Sequence, residues 1–242
     1  MCFHYALSKK VKEVAERYKV ILEQDLPAGD DPVFHVAGFD FPVMPVVTNE
    51  QPDRLQFFQW GLIPSWTKSV DDAKLIRTRT LNARSETAWE KPSFRSAIKS
   101  KRCLVPATGF YEWMEFQKKK YPHYIHLKDQ SIFSFAGIWE EWADQESGEI
   151  HSTYSILTTE ANPFMARIHN TKKRMPVMLS PDQERQWIGD SPPSLLKELT
   201  IGLPEDTLDA HTISKRITSR TENSNVSEVQ QPFSYPELQL LF

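Results

Sequence analysis

The second residue of the chain is a cysteine, and its position permits chemistry that is closed to an internal cysteine. Cys2 directly follows Met1, so loss of the initiator methionine frees an α-amine whose pKa is about 7.7–8.0. An amine and a thiol on one residue condense with an aldehyde, first to an imine and then to a five-membered thiazolidine. Two other interpretations are open: an N-terminal nucleophile for amide hydrolysis, and a small buried residue without a chemical role.

Two further segments carry polar residues that suit a reaction site. In TLNARSETAW, the polar residues Asn82, Arg84 and Glu86 alternate, so an extended segment would place them on one face. Arg84 is able to hold a phosphate there, while the alternative is a surface loop with an Arg–Glu pair. Glu112 lies between two aromatic residues in GFYEWMEF. Burial would raise its pKa and suit it to general acid–base catalysis, unless this strand face meets solvent.

The segment RIHNTKKRMPVML combines one histidine with a run of cations. His169 is a candidate proton shuttle beside Lys172, Lys173 and Arg174, which are candidate phosphate-binding groups. A lone histidine is more often structural. In WGLIPSW, an exposed Trp66 beside the basic stretch would stack on an unpaired base, whereas core packing is the default for tryptophan.

No metal or cofactor is expected. Cys2, His4 and the pair His123 and His126 are the only neighbouring metal-ligand types, and an i,i+3 pair on a strand points to opposite faces. The chain has only eight glycines, so it cannot build a glycine-rich phosphate loop.

Charge and composition narrow the class of protein. The 242 residues carry a net charge of −3, but the segment 68–102 holds ten Lys or Arg against four Asp or Glu, a local +6 that leaves −9 elsewhere. This segment is either a solvated charged face or a phosphate-tracking groove. Two cysteines are too few for a disulfide framework, and no apolar run is long enough for a membrane span or a signal peptide. We expect a cytoplasmic protein with free thiols.

The pattern of elements favours one α+β domain with mostly antiparallel strands and short peripheral helices. Ser8 is a candidate cap of a first helix, and residues 55–62 read as a strand. Two short helices are expected in ETAWEKPSFRSAIKSK, the second starting near Pro92. The middle of the chain is rich in aromatic and β-branched residues. Asn162 and Ser180, each followed by proline, are predicted to cap two further short helices.

Five motifs together resemble the SRAP family (SOS-response-associated peptidase domains). They are the N-terminal Met1-Cys2 and then, in the family's order, WGLIPSW, NARSET, GFYEW and IHNTKKRMPVML, across about residues 1 to 215. The resemblance implies an α+β domain with a β-barrel-like core and a positive groove. It implies binding of abasic sites in single-stranded DNA, at or near a junction with duplex. It also implies a thiazolidine crosslink to the sugar aldehyde, after removal of Met1 that is proposed to be autocatalytic.

The resemblance gives roles to the residues that match its motifs. Cys2 is implied to be the crosslinking nucleophile, and Asn82 to position the lesion beside it. Glu112 is implied to move protons during imine formation, and His169 to aid opening of the sugar ring. For the DNA, the resemblance implies contacts from Trp66 and Arg84. Arg174 matches the segment after the family's histidine, and the chain's own Lys172 and Lys173 add charge there.

The chain departs from the family pattern at two places. The family usually begins Met-Cys-Gly-Arg, whereas here Phe3 replaces the glycine and His4 replaces the arginine. The family also commonly has its histidine two residues before the arginine, whereas His169 and Arg174 are five apart. Neither change removes a proposed catalytic group.

The sequence therefore predicts a domain over residues 1–220 and a tail, 221–242, that docks loosely or is partly disordered. We expect a monomeric enzyme of the DNA damage response that crosslinks abasic single-stranded DNA through Cys2, with lyase-like and autopeptidase activity and no membrane partner. The alternatives are a cysteine-type amide hydrolase acting in trans and a non-covalent single-strand binder.

Overall fold

Strands dominate the regular structure of residues 2–22 and 29–241, which are the residues that the computed structural model describes. The strands are β1 His4–Leu7, β2 Val33–Ala37, β3 Val43–Thr48, β4 Gln56–Trp60, β5 Asn82–Arg84, β6 Arg102–Ala107, β7 Gly109–Phe116, β8 Lys119–Leu127, β9 Phe133–Ala143, β10 Ile150–Glu160, β11 Arg174–Pro176, β12 Met178–Leu179 and β13 Leu208–Thr212. The helices are α1 Val11–Tyr18, α2 Val70–Arg77, α3 Ser85–Ala88, α4 Ala97–Ser100, α5 Pro163–Ile168, α6 Pro181–Ile188 and α7 Pro193–Glu198.

Five strands close into a barrel. They follow the order β10, β4, β3, β6 and β9, and β9 pairs back onto β10 along most of its length. Strands β11 and β5 also pair with β10, and β12 pairs with β9. The β4–β10 and β5–β10 pairs are parallel, while the other paired strands of this sheet are antiparallel. The predicted α+β fold with a mostly antiparallel, barrel-like core is confirmed.

A second sheet packs beside the barrel in the order β13, β8, β7, β1, β2. The chain passes from the barrel to this sheet at Thr108, between β6 and β7. Gly109 follows at once, and a Cβ there would lie 2.4 Å from the ring of Tyr124. The close approach of Tyr124 therefore requires glycine at the point where the chain leaves β6 of the barrel and enters β7 of the second sheet.

Aromatic residues join the two sheets. Tyr5 of β1 donates or accepts a 2.8 Å hydrogen bond with Tyr154 of β10, and both rings are fully buried. The Trp60 indole donates to the Leu81 carbonyl at 2.8 Å, just before β5 begins. Each large side chain buried in this way contributes about 1.5–3 kcal/mol, so β1 and β5 are fixed beside each other.

Several helix predictions are confirmed and two are wrong. Asn162 and Ser180 cap α5 and α6 through their side chains, as predicted. Ser8 does not cap α1, because its N–H donates to Thr108 Oγ1 and the helix begins only at Val11. The second helix of the basic segment begins at Ala97 rather than near proline 92, because residues 91–96 form turns.

The described part of the tail makes specific contacts with the second sheet and the residues that flank its strands. Gln230 donates from Nε2 to Ser8 Oγ, and the Tyr235 hydroxyl donates to the Ile213 carbonyl. The side chain of Val229 is fully buried. The boundary at residue 220 stays a prediction. No helix in residues 2–22 or 29–241 is long and apolar enough to cross a membrane.

Candidate active site and DNA surface

Strand β5 brings Asn82 to the N-terminal end of β1. The Asn82 amide donates from Nδ2 to the Cys2 carbonyl at 2.8 Å. Its Oδ1 is buried and accepts no hydrogen bond from the described residues. A buried acceptor without a donor is costly, so this oxygen is available to a polar group of a ligand beside Cys2.

Cys2 is fully buried at the junction of the two sheets. Its thiol donates a weak hydrogen bond to the His4 carbonyl at 3.6 Å. Burial, followed by the nearby Glu112 carboxylate, raises the pKa of the thiol well above its usual range. The thiol is therefore protonated at neutral pH and needs a base before its sulfur can react.

Glu112 is a buried carboxyl close to the start of the chain. The pairing of β1 with β7 sets Tyr5 opposite Phe110. In the same antiparallel register, Glu112 lies beside the residue that precedes β1. Only 4% of the residue is exposed. Burial raises the pKa of Glu112 to about 7, with Lys172 among the groups that partly oppose the rise. Glu112 is thus able to give and to take a proton near neutrality.

His169 ends α5 and faces Glu112. Its Nδ1 lies 2.8 Å from the Arg174 carbonyl, which can only accept, so Nδ1 carries the proton in the neutral ring. The unprotonated Nε2 lies 3.8 Å from Glu112 Oε2. Burial lowers the pKa of His169 to about 4, although the Arg174 carbonyl opposes this shift. His169 is therefore neutral at pH 7, with its free lone pair directed towards the carboxyl.

A cavity of about 490 Å³ contains these groups, and it is called the lesion cavity below. Phe3, His4, Glu112, His169 and Lys172 are among its lining residues. Cys2 and Asn82 are not among its lining residues, but Cys2 directly precedes Phe3, is close enough to Glu112 for that charge to raise the thiol pKa, and is held by Asn82, so the structure brings together four residues that are far apart in the sequence.

A second cavity, of about 650 Å³, is lined by Arg84, Glu160, Lys172, Lys173 and Arg174. We call it the basic cavity. Its three outer cations, Arg84, Lys172 and Lys173, are exposed. Lys172 lines both cavities, so a chain of positive charge leads from the basic cavity to the reactive groups.

Arg174 is largely committed to protein partners. Its guanidinium binds Glu86 through both carboxylate oxygens, at 2.5 and 3.0 Å, and donates to the Thr158 carbonyl at 2.7 Å. Sequence reasoning set Glu86 on one face with Arg84. Instead β5 ends at Arg84 and α3 begins at Ser85, which turns Glu86 towards Arg174. A DNA contact by Arg174 stays a prediction.

Trp66 is exposed, as its predicted stacking role requires, with 56% of the residue accessible. Its indole N–H lies 3.4 Å from the Pro92 carbonyl, which fixes the ring on the surface. Trp66 is not among the lining residues of the lesion cavity or the basic cavity.

A chain of hydrogen bonds behind the lesion cavity escaped sequence reasoning. His4 Nδ1 lies 2.9 Å from His35 Nε2, and His35 Nδ1 lies 2.8 Å from Ser224 Oγ. The edge of Trp113 also contacts His4. No short motif joins these residues, so only the pairing of β1 with β2 and the docked tail reveals the group. No group of three metal-ligand side chains occurs in the described residues.

Comparison with known proteins gives consistent matches over nearly the whole chain. A model of the SOS response associated peptidase (SRAP) family matches residues 1–220. The abasic site processing protein YoaM of Bacillus subtilis is 35% identical over 228 residues, which cover 93% of this chain and 96% of that protein. The abasic site processing protein HMCES of Xenopus tropicalis is 29% identical over 189 residues, which cover 70% of this chain and 55% of that protein.

Solved structures share the fold. A crystal structure of a protein from Bacteroides thetaiotaomicron aligns with a TM-score of 0.90 at 39% identity, over 96% of this chain and 100% of that one. A second, from Bordetella bronchiseptica, aligns with a TM-score of 0.75 at 25% identity, over 88% of this chain and 100% of that one.

Proposed function

We propose that this chain, which belongs to the SOS response associated peptidase (SRAP) family, processes abasic sites in DNA by forming a thiazolidine crosslink through Cys2. Its relatives are named abasic site processing proteins, and abasic-site processing is its function. The observation that supports the covalent step is the placement of Cys2. Its carbonyl is held by Asn82 while its thiol is close enough to the Glu112 carboxylate for that charge to raise the thiol pKa.

The chemistry begins once Met1 has been removed. The free α-nitrogen of Cys2 attacks the aldehyde carbon of a ring-opened abasic sugar, and one water leaves as the imine forms. The thiol then adds across the C=N bond. Sulfur bonds to the carbon, the thiol proton is taken up by a base, and the nitrogen gains a proton. The net change is loss of one water and closure of a five-membered ring.

Glu112 is the proton carrier for both steps. With a pKa of about 7, both its protonated and its ionised form are well populated near neutrality. The protonated carboxyl supplies the proton that departs with the hydroxyl as water. The resulting carboxylate then accepts the proton of the Cys2 thiol, whose own pKa is too high for it to ionise unaided.

His169 acts on the sugar before the crosslink forms. Its neutral Nε2 is a lone-pair acceptor, held in position by the hydrogen bond from Nδ1 to the Arg174 carbonyl. An acceptor in this position takes the proton of the C1′ hydroxyl of the closed sugar. The C1′–O4′ bond then breaks, the ring oxygen gains a proton, and the aldehyde is exposed. Glu112, 3.8 Å away, is the neighbouring group that receives or returns this proton.

The DNA strand follows the exposed cations of the basic cavity. Arg84, Lys172 and Lys173 hold backbone phosphates, since phosphate contacts position a nucleic acid without reading its sequence. Exposed Trp66 stacks on an unpaired base. We propose single-stranded DNA, at or near a junction with duplex, as the partner and a monomer as the active species.

A cysteine hydrolase acting in trans is less well supported. Such an enzyme needs a thiolate activated by an imidazole. Here burial raises the pKa of the Cys2 thiol and lowers the pKa of His169, and both shifts oppose a thiolate–imidazolium pair. The Nε2 of His169 lies 3.8 Å from Glu112 Oε2.

The test incubates the mature protein with an abasic single-stranded oligonucleotide and separates the products on a denaturing gel. We expect a covalent adduct without any reductant. Intact mass measured on the same sample should show loss of one methionine. Comparing this mass between the wild type and Glu112→Gln tests whether the chain removes Met1 itself.

Cys2→Ser is the decisive variant, because it keeps the α-amine and removes the thiol. It should form only an imine, so that an adduct appears after borohydride reduction and not before. An unreduced adduct of unchanged yield in Cys2→Ser would refute the thiazolidine. Binding without any adduct, equal on abasic and intact DNA, would instead identify a non-covalent single-strand binder.

A further inference from the structure

We propose that Lys120 and Lys215 form a second phosphate-binding wall of the lesion cavity. This wall would hold the DNA backbone on the side of the lesion that faces away from Arg84 and Lys173. The inference rests on the proposed function, because it assumes that a single strand occupies the cavity. It goes further by assigning two binding residues and a path for the strand beyond the reactive groups.

The two lysines reach the lesion cavity from separate elements. Lys120 lies in β8, and Lys215 begins a 3-10 helix, Lys215–Thr218. Both are exposed, and both line the cavity that contains Glu112 and His169. Lys215 Nζ also lies 6.0 Å from the centre of the ring of Tyr121, the residue that follows Lys120 in β8.

Neither lysine forms an ion pair with a carboxylate of the described residues, although Glu115, which lies directly opposite Lys120 in the pairing of β7 with β8, also lines the cavity. The neighbouring Lys119 differs, because its Nζ lies 3.7 Å from Glu237. Lys120 and Lys119 point to opposite faces of β8, since side chains alternate along a strand. Two exposed cations beside a cavity, neither of them held in an ion pair by the described residues, fit a bound polyanion.

His4 cannot supply the positive charge on this side of the cavity. Its Nδ1 is engaged by His35 Nε2 at 2.9 Å, and burial lowers its pKa to about 4. The Asp40 carboxylate partly opposes this shift. Burial also lowers the pKa of His35 to about 4, so His35 adds no positive charge for the DNA strand. At pH 7 the cationic groups of the cavity are therefore Lys120, Lys172 and Lys215.

Lys172 joins the two phosphate-binding regions. It lines both the basic cavity and the lesion cavity. A strand that enters over Arg84 and Lys173 thus meets Lys172 at the lesion and Lys120 with Lys215 beyond it. Thr218, at the end of the same 3-10 helix, also lines the cavity, and its hydroxyl donates to the Lys215 carbonyl at 3.2 Å.

The test measures how salt weakens binding in the double variant Lys120→Ala/Lys215→Ala. The probe is a single-stranded oligonucleotide with a tetrahydrofuran abasic analogue, which has no aldehyde and so reports binding without chemistry. Each lost phosphate contact on single-stranded DNA reduces the slope of log K against log salt by about 0.7, so the double variant should lose about 1.4. The charge-matched control Lys119→Ala/Lys128→Ala should retain the wild-type slope.

Two asymmetric probes then test the direction of the strand. One has a single-stranded arm only 5′ of the analogue, and the other only 3′ of it. The double variant should lose affinity on one probe and match the wild type on the other. Equal losses on both probes, an unchanged slope, or an equal change in the control would overturn the proposal. These results do not depend on crosslinking, so absence of an adduct with a true abasic site would reject the proposed function separately.

Discussion

The two cysteines of this chain are both fully buried, yet only one of them lies among groups that can react. Cys103 sits in the barrel wall, where the Trp187 indole donates to its carbonyl and Gly137 leaves room for its sulfur. Cys2 lies between the barrel and the second sheet, next to Asn82 and Glu112. Burial raises the pKa of both thiols.

The difference shows that burial alone does not distinguish a structural thiol from a chemical one. Desolvation accounts for the shift at Cys103 without any charged partner. At Cys2 a carboxylate with a pKa of about 7 is close enough to contribute to the shift. The barrel wall therefore provides packing, and the junction of the sheets places a titratable carboxyl beside the thiol.

Replacing each cysteine in turn with alanine should give the largest difference in crosslinking. Cys2→Ala should abolish the covalent adduct, because no sulfur remains to close the ring. Cys103→Ala should retain the adduct and lose about 1 kcal/mol of unfolding free energy through a small cavity. Adduct yield on denaturing gels and urea unfolding measure the two effects. An adduct lost in Cys103→Ala protein that is still folded would contradict the comparison.

Removing the proton carrier should slow the reaction without removing the nucleophile. Glu112→Gln is expected to reduce the crosslinking rate by about 10²–10⁴-fold. We expect thiol addition, which needs the ionised carboxylate, to limit the rate, so that in the wild type the rate should rise with pH through about 7. The variant should lose this inflection and keep the one at about 7.7–8.0 from the α-amine. Rates measured from pH 5 to 9 check both statements, and an unchanged profile would exclude Glu112 as the base.

Substitutions at Arg174 and Lys172 should separate a structural role from a DNA-binding role in the segment that follows α5. Arg174→Ala should lower the unfolding free energy by about 1–3 kcal/mol, because Glu86 and the Thr158 carbonyl lose their partner. Lys172→Ala should change stability by less than about 0.5 kcal/mol while weakening DNA binding. Thermal unfolding and fluorescence anisotropy give the two readouts. Weaker binding in Arg174→Ala at unchanged stability would assign Arg174 to the DNA instead.

Asn82 should have the smallest of these effects. Asn82→Ala removes the hydrogen bond to the Cys2 carbonyl, which is worth about 1 kcal/mol, or a roughly fivefold slower crosslink. Asn82→Asp should be slower still, because an ionised carboxylate not only lacks a donor for that carbonyl but also repels its oxygen. Single-turnover rates at saturating DNA provide the measurement. A faster reaction in Asn82→Asp than in Asn82→Ala would show that the donor is not what matters.

Local signals were enough to predict some elements and failed for others. Asn162 and Ser180 were predictable as caps because a capping side chain acts on backbone groups only three residues away. Ser8 was misassigned because its partner, Thr108, is a hundred residues distant. The pairing of Glu86 with Arg174 was hidden for the same reason, since it depends on where β5 ends.

The sequence by itself determined the unusual position of Cys2, the types of the reacting residues, the class of fold and the family motifs. Each of these depends on residue identity or on spacing along the chain. Only the tertiary structure decided that Asn82 binds the Cys2 carbonyl, that His169 faces Glu112, and that Arg174 is held by Glu86. It also set the pKa directions of the site, because desolvation and charge proximity arise only when distant segments pack together.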